Sequence, residues 1–148
     1  MTVVLSSIDI EVPPQAVWDY VMDADSTREW VTIVRGIGHV DEGPLREGFR
    51  MDQRLCLRGV TFNVHWELDE LDAPHFARWV GRGPARAKAI IEDRLTARNG
   101  GTHFDYRNEF KAPFGPLGSL AGRALVGGVP ETEANASLRQ LKQILERR

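Results

Sequence analysis

Strict alternation opens the chain. From Val3 to Val12, the residues Val4, Ser6, Ile8, Ile10 and Val12 fall on one side while Asp9 and Glu11 fall on the other, the period-two signature of a half-buried strand. Pro13 and Pro14 end it. Pro14 suits the first position of a short helix in which Val17, Tyr20 and Val21 share a face at i, i+3, i+4 spacing. A second short helix is predicted from Ser26, carrying Trp30, followed by a strand from Ile33 to Val40 that the Asp41-Glu42-Gly43-Pro44 cluster closes.

Two hairpins follow, and their charges fix their registers. Phe49–Leu57 and Val60–Leu68 flank the two-residue turn Arg58-Gly59; pairing Leu57 with Val60 sets Leu55 against Phe62, Gln53 against Val64, Met51 against Trp66 and Phe49 against Leu68. That face is apolar apart from Gln53. The other face pairs Arg50 with Glu67, Asp52 with His65 and Arg54 with Asn63, favourable neighbours in water. Ala85–Ala97 and Gly101–Lys111 meet at Asn99-Gly100, and pairing Arg98 with Gly101 sets Arg94 against Asp105 and Glu92 against Arg107. A turn one residue later would oppose like charges instead. The preferred register points Ala87, Ala89, Ile91, Asp93, Tyr106, Asn108 and Phe110 inward. Between the hairpins, Phe76–Val80 reads as a short strand whose phase is open, so either Arg78 or Trp79 faces in.

The C-terminal third changes period. Leu117, Leu120, Ala121, Ala124, Gly128, Glu131, Asn135, Leu138, Leu141 and Leu145 form one stripe at roughly 3.5-residue spacing, which predicts a long amphipathic helix. Gly127-Gly128 and Pro130 interrupt it, as a kink or as a break between two segments.

Composition narrows the function classes. The chain has 148 residues with no internal repeat or linker, so residues 1–148 read as one globular domain. Its 19 Lys+Arg against 21 Asp+Glu give a net charge of -2, without the basic excess that nucleic-acid binding uses. The longest run free of charged residues, Ala112 to Gly122, is far shorter than the ~20 apolar residues of a membrane span. Met1–Val12 lacks a basic leader, and the single Cys56 fits a reducing compartment, so a cytoplasmic location is expected.

The order of elements is strand, two short helices, a six-strand meander and a long terminal helix. With Ile8-Asp9-Ile10, Val17-Trp18-Asp19-Tyr20-Val21 and Trp30 near the start, it resembles the START-related, birch-pollen-allergen-like superfamily. The terminal Glu133-Ala134-Asn135-Ala136-Ser137-Leu138-Arg139-Gln140-Leu141-Lys142 is similar to the helix of its polyketide cyclase/dehydratase branch. The resemblance implies an α+β helix-grip fold: a curved seven-stranded antiparallel sheet wrapped around a long C-terminal helix, with an internal cavity. Geometry argues for a cavity as well, because a strongly bent sheet cannot touch one helix everywhere and the inward Ala87, Ala89, Ala121 and Ala124 are small. Its mouth is expected where Arg58-Gly59, Gly81–Pro84 and Ala112–Pro116 gather, alternate connections of a meander lying at one end.

Asp93, Tyr106, Asn108 and Gln53 are the polar side chains expected inside, and Trp66, Ala87, Ala89, Ile91, Phe110, Leu120 and Ala124 complete the candidate ligand-binding set. Burial would raise the pKa of Asp93 and fit it for acid-base work with Tyr106 as hydrogen-bond donor; alternatively the two form a self-satisfied structural pair. Glu131 on the helix stripe is either a second cavity acid or a favourable charge in the helix's first turn. Asp52 and His65 look like a dyad, but their register puts them on the water side. The four histidines have no zinc-like spacing, and no phosphate-binding or dinucleotide fingerprint occurs, so neither metal nor cofactor is expected. Two functions fit: carriage of a hydrophobic small molecule such as a lipid, polyketide or aromatic metabolite, or cyclase/dehydratase chemistry on a poly-ketone. Oligomeric state is open.

Overall fold

A computed structural model describes residues 2–111 and 129–148. The first strand, β1 (Thr2–Ile10), alternates as expected, with Val4 and Ile10 buried. Helix α1 (Pro14–Val21) begins on its proline and buries Val17, Trp18, Tyr20 and Val21. A 3-10 turn over Ala24–Ser26 then leads into the single-turn helix α2 (Thr27–Trp30), and the meander runs through β2 (Val34–Val40), β3 (Arg50–Leu57), β4 (Val60–Asp72), β5 (Phe76–Arg82), β6 (Lys88–Arg98) and β7 (Gly101–Lys111). The terminal helix, α3, spans Val129–Glu146. All seven strands form one antiparallel sheet in the order β1-β7-β6-β5-β4-β3-β2, with β1 returning to pair β7.

Both hairpin registers follow the charge argument, Leu57 pairing with Val60 and Arg98 with Gly101. Their turns require it locally: Arg58 and Gly59 have φ of 53° and 81°, Asn99 and Gly100 have 52° and 81°, the left-handed pair of a type I′ turn. On the outer face Arg107 reaches Glu92 at 3.3 Å. Arg94 lies opposite Asp105 but stacks its guanidinium 4.6 Å over the Phe76 ring, while Asp105 accepts His103. The open phase of β5 resolves here: Phe76 is covered from outside by Arg94, which leaves Ala77, Trp79 and Gly81 facing the core.

Two expectations need correction. Strand β6 starts at Lys88 rather than Ala85, because Pro84–Arg86 forms a 3-10 turn in which Ala85 and Arg86 adopt φ of 51° and 65°, outside the extended range. Glu131 does not face inward; it is exposed, and the buried face of α3 is Pro130, Ala134, Ser137, Leu138, Leu141 and Leu145. Burying that carboxylate would cost solvation, whereas in the first helical turn it meets the positive end of the helix dipole in water. Gly127 and Gly128, where the helix was expected to kink or break, lie outside the described residues.

Polar contacts pin α3 at its middle and at its C-terminal end. The Thr32 N–H donates to Ser137 Oγ (3.0 Å) and the Ser6 hydroxyl to Asn135 Oδ1 (2.8 Å). Toward its C-terminus, Lys142 Nζ donates to the Asp9 carbonyl (2.6 Å) and the Glu11 N–H to Glu146 Oε2 (2.8 Å). Leu138, Leu141 and Leu145 fill the stretch between them against the sheet.

One glycine is fixed by packing rather than by turn geometry. A Cβ on Gly81 would sit 2.6 Å from Trp66 Cζ3 and 2.7 Å from Val64 Cγ1, so the indole of Trp66 lies directly across its cross-strand partner. We expect Gly81→Ala to lower stability by ~1–3 kcal/mol, the usual range for overpacking, with a shifted tryptophan emission. Urea denaturation followed by fluorescence checks this; an unchanged midpoint would mean that the ring has room to move.

Candidate functional site

The inward alternation of the central strands builds one wall of a cavity. Gln53 and Met51 come from β3, Trp66 from β4, Trp79 from β5, Ile91 and Asp93 from β6, and Tyr106 from β7. The opposite wall runs from the end of α1 through α2: Val21, Met22, Ala24, Thr27, Trp30 and Val31. The cavity's volume is about 60 Å³, enough for a ligand's head group or a few waters rather than a whole drug-sized molecule.

A relay of hydrogen bonds holds the two walls together. Trp66 Nε1–H donates to Gln53 Oε1 (2.9 Å), Gln53 Nε2–H donates to Thr27 Oγ1 (3.1 Å), and the Thr27 hydroxyl donates to the Ala24 carbonyl (2.7 Å). Gln53 and Trp66 therefore border the cavity with their polar atoms already committed. Thr27 is committed likewise.

Other polar atoms of the cavity residues are not. Asp93 is 4% exposed, and its Oδ1 has no hydrogen-bond partner. Burial pushes its carboxyl up to about 7. Directly across the strand pair, Tyr106 has its phenol pushed above the ordinary value, chiefly by burial and then by the charge of Asp93, with a hydrogen bond from Asn108 acting the other way. Trp30 packs its ring 5.7 Å from that of Tyr106 and 6.3 Å from Phe104, and its Nε1–H is also without a partner. Asp93 Oδ1 is thus not satisfied by Tyr106, and the carboxylate is not half of a closed structural pair.

The remaining candidates are spread out. Ala89 and Asn108 are buried but do not border this cavity, and Phe110 is half-buried beyond it. Ala87 caps the Pro84–Arg86 turn. Leu120 and Ala124 lie outside the described residues. Asp52 and His65 form a surface pair at 2.8 Å. Sequence reasoning missed Met22, Ala24 and Thr27 altogether and took Trp30 as plain core; the one available signal was a tryptophan placed just after a predicted short helix.

A second space adjoins the first. A surface cleft of about 290 Å³ between the Met22–Asp25 segment and the Val40–Phe49 connection is bordered by Asp23, Asp25 and Asp41, and it shares Met22, Ala24, Met51 and Trp79 with the inner cavity. It lies at the opposite end of the sheet from the Arg58-Gly59 and Gly81–Pro84 turns where a mouth was expected. The third loop of that expected mouth, 112–116, is outside the described residues.

A curved antiparallel sheet packed on a terminal helix, with a small cavity between the sheet and the α1–α2 segment, defines a helix-grip fold. The chain belongs to the family described as polyketide cyclase / dehydrase and lipid transport, which it matches over residues 1–146. An uncharacterized protein of Mycobacterium tuberculosis, Rv1546, is 30% identical over 128 residues, 85% of this chain and 90% of the relative. Among solved structures, TTHA0849 from Thermus thermophilus is similar with a TM-score of 0.80 and 17% identity, covering 99% of this chain and 98% of its own. The Zhui aromatase/cyclase of a Streptomyces species also reaches a TM-score of 0.80 at 17% identity, covering 99% and 94%; at such identities the likeness is one of fold.

Asp93 makes stability depend on pH in a known direction. Its carboxyl titrates from 3.8 in the unfolded chain but near 7 in the folded one, so between those values the native state holds a proton that the unfolded state has released. Stability contributed by the neutral acid is complete below that window, falls as pH rises through it and levels off above it, at a rate on the order of 1.4 kcal/mol for each pH unit crossed. Asp93→Asn removes this fall. In urea titrations at about pH 5 and pH 8, the variant should gain on wild type at the higher pH; parallel behaviour would put Asp93 at an ordinary pKa.

Proposed function

We propose that the protein binds or carries a hydrophobic small molecule, of the lipid, polyketide or aromatic-metabolite kind, with one end held in the inner cavity. The observation that carries this reading is a small, largely apolar and aromatic cavity two of whose lining residues, Asp93 and Trp30, keep buried polar atoms without a hydrogen-bond partner. Native interiors rarely leave buried donors and acceptors unpaired, so a site with both is suited to a visiting group. The rest of such a ligand would pass Met22 and Met51 toward the adjoining cleft. Family membership supports hydrophobic-ligand binding in general terms, and a cytoplasmic location suits the lone Cys56.

A second reading has an observation of its own. A buried carboxyl near pKa 7 is poised to give or take a proton at neutral pH, which is what aldol cyclisation or dehydration of a poly-ketone requires. Against it, among the described residues the cavity is lined by only two titratable groups, Asp93 and Tyr106, a thin set for proton transfer at several carbons. Carriage is the better supported of the two.

A neutral apolar fluorophore such as N-phenyl-1-naphthylamine should bind the folded protein, and Ile91→Trp, which fills the cavity, should weaken it by at least ~10-fold without unfolding the chain. Undiminished binding would place the ligand elsewhere. Asp93→Asn separates the two readings. For a carrier, affinity changes by less than ~1.5 kcal/mol, the scale of one hydrogen bond. For a catalyst, turnover of a poly-β-ketone drops ~10²- to 10⁴-fold while binding survives.

A further inference from the structure

We infer that the outer face of the sheet, at its Gly81–Pro84 end, docks on an anionic lipid surface through a row of cations on β5, β6 and β7 beside two exposed aliphatic side chains on β1. This goes beyond the ligand reading and does not depend on it, since the face lies on the other side of the sheet from the cavity.

Strand register builds the row. Arg82 on β5 pairs with Lys88 on β6, and Lys88 pairs with Lys111 on β7. Their neighbours Gly81, Ala89 and Phe110 have the opposite phase, and all three cations are exposed. With strands about 4.8 Å apart, the three positive charges run straight across the sheet over roughly 10 Å. Arg86, exposed in the turn between β5 and β6, adds a fourth charge at the same end. Like charges set directly opposite one another cost stability. Elsewhere on the same face the chain avoids that cost, by pairing Arg50 with Glu67 and Glu92 with Arg107.

The carboxylates of adjoining pairs on this face are engaged by other cations. Asp52 holds His65 at 2.8 Å, Glu67 faces Arg50 at 3.9 Å, and Glu92 and Glu109 each accept from Arg107 at 3.3 Å. Among the described residues, no carboxylate pairs with Arg82, Arg86 or Lys88. Residues 112–128 contain no Asp or Glu, and their one charged residue is Arg123, so no side-chain carboxylate comes from there.

A second observation selects lipid among the polyanions. The exposed large hydrophobic residues among those described are Val3 (47%) and Leu5 (70%), both on the outward phase of β1. Val3 pairs with Glu109, two residues from Lys111 on the same face of β7, so the aliphatic pair adjoins the basic row. A lipid surface answers both features, its head-group phosphates meeting the cations while apolar side chains enter the interfacial layer. Nucleic acid would answer the cations alone, and it would repel the remainder of a chain whose net charge is -2.

Flotation of the full chain with vesicles tests this, comparing phosphatidylcholine alone with phosphatidylcholine containing phosphatidylglycerol. Binding to the anionic vesicles should be at least ~10-fold tighter and should weaken as salt is added. The double variant Arg82→Glu/Lys88→Glu should lose at least ~10-fold of that affinity. Arg139→Glu makes the same kind of charge change at an exposed position on α3 and should leave it within about twofold. Leu5→Ser should weaken vesicle binding while leaving any binding to heparin, a soluble polyanion, unchanged. If the double variant fails to fold, Lys88→Gln with a correspondingly smaller loss takes its place. Equal binding to the two kinds of vesicle, or full affinity in the charge variants, would overturn the proposal. Heparin binding as tight as vesicle binding, with Leu5→Ser silent in both, would overturn lipid in favour of a soluble polyanion.

Discussion

The cavity depends on the hydrogen-bond relay from Trp66 through Gln53 and Thr27 to the Ala24 carbonyl. It joins β3 and β4 to the short segment before α2, across sequence separations of 13 and 26 residues. Each link makes up for a cost that the fold would otherwise bear. The indole N–H of Trp66 and the amide of Gln53 are both buried, where an unpaired donor or acceptor is expensive. Because they satisfy each other, the helical segment is held over the sheet by directional bonds, and that leaves a gap which purely apolar packing would tend to close. Gly81 is the complement of this arrangement, since only a residue without a side chain lets the Trp66 ring lie flat on β5.

Asp93 is the conspicuous exception to this economy. Across from it stands Tyr106, next to it on the sheet is Ala77, and neither answers its Oδ1. A chain selected for stability alone would do better with an apolar residue or with Asn there, because burial of the carboxyl raises its pKa without any compensating partner. Departures from local consistency of this kind are expected at functional sites, and here the departure coincides with the second orphan atom, Trp30 Nε1.

Much of the fold was legible in the sequence because the sheet carries its register in its charges. Arg50 with Glu67 and Glu92 with Arg107 are complementary in only one alignment, and a slip of one residue would turn Asp93 to water. That alignment also placed Gln53, Trp66, Ile91, Asp93 and Tyr106 on the cavity wall. What stayed illegible was decided by contacts between distant residues. Phe76 and Trp79 are both apolar but of opposite phase, so the pattern of β5 alone fits either orientation, and it is Arg94, covering Phe76 from outside, that decides between them. The far wall, Met22 to Trp30, consists of two short helical turns with too few residues for a periodic pattern, and its role emerges only when Thr27 meets Gln53. Glu131 takes the second of its two expected roles, an exposed charge in the first turn of α3, because a carboxylate is solvated there, whereas the inward face of that turn is taken by Pro130 and Ala134.

Position along the sheet explains how rigidity and access can coexist in so small a protein. Helix α3 is fastened to Ser6, Thr32, Asp9 and Glu11 by polar contacts at its middle and C-terminal end, and Leu138, Leu141 and Leu145 pack in the same stretch. The segment from Met22 to Ser26 is held differently. Asp23 caps it by accepting the Asp25 N–H at 3.1 Å, Ser26 and Thr27 return hydroxyls to backbone carbonyls, and its one bond to the sheet is through Thr27 and Gln53. Local opening favours elements with few long-range bonds, so this segment can lift away from Met51 and Trp79 at far lower cost than α3 can leave the sheet. The wall that separates the inner cavity from the cleft is therefore tied to the sheet by fewer side-chain hydrogen bonds than α3 is, among the described residues.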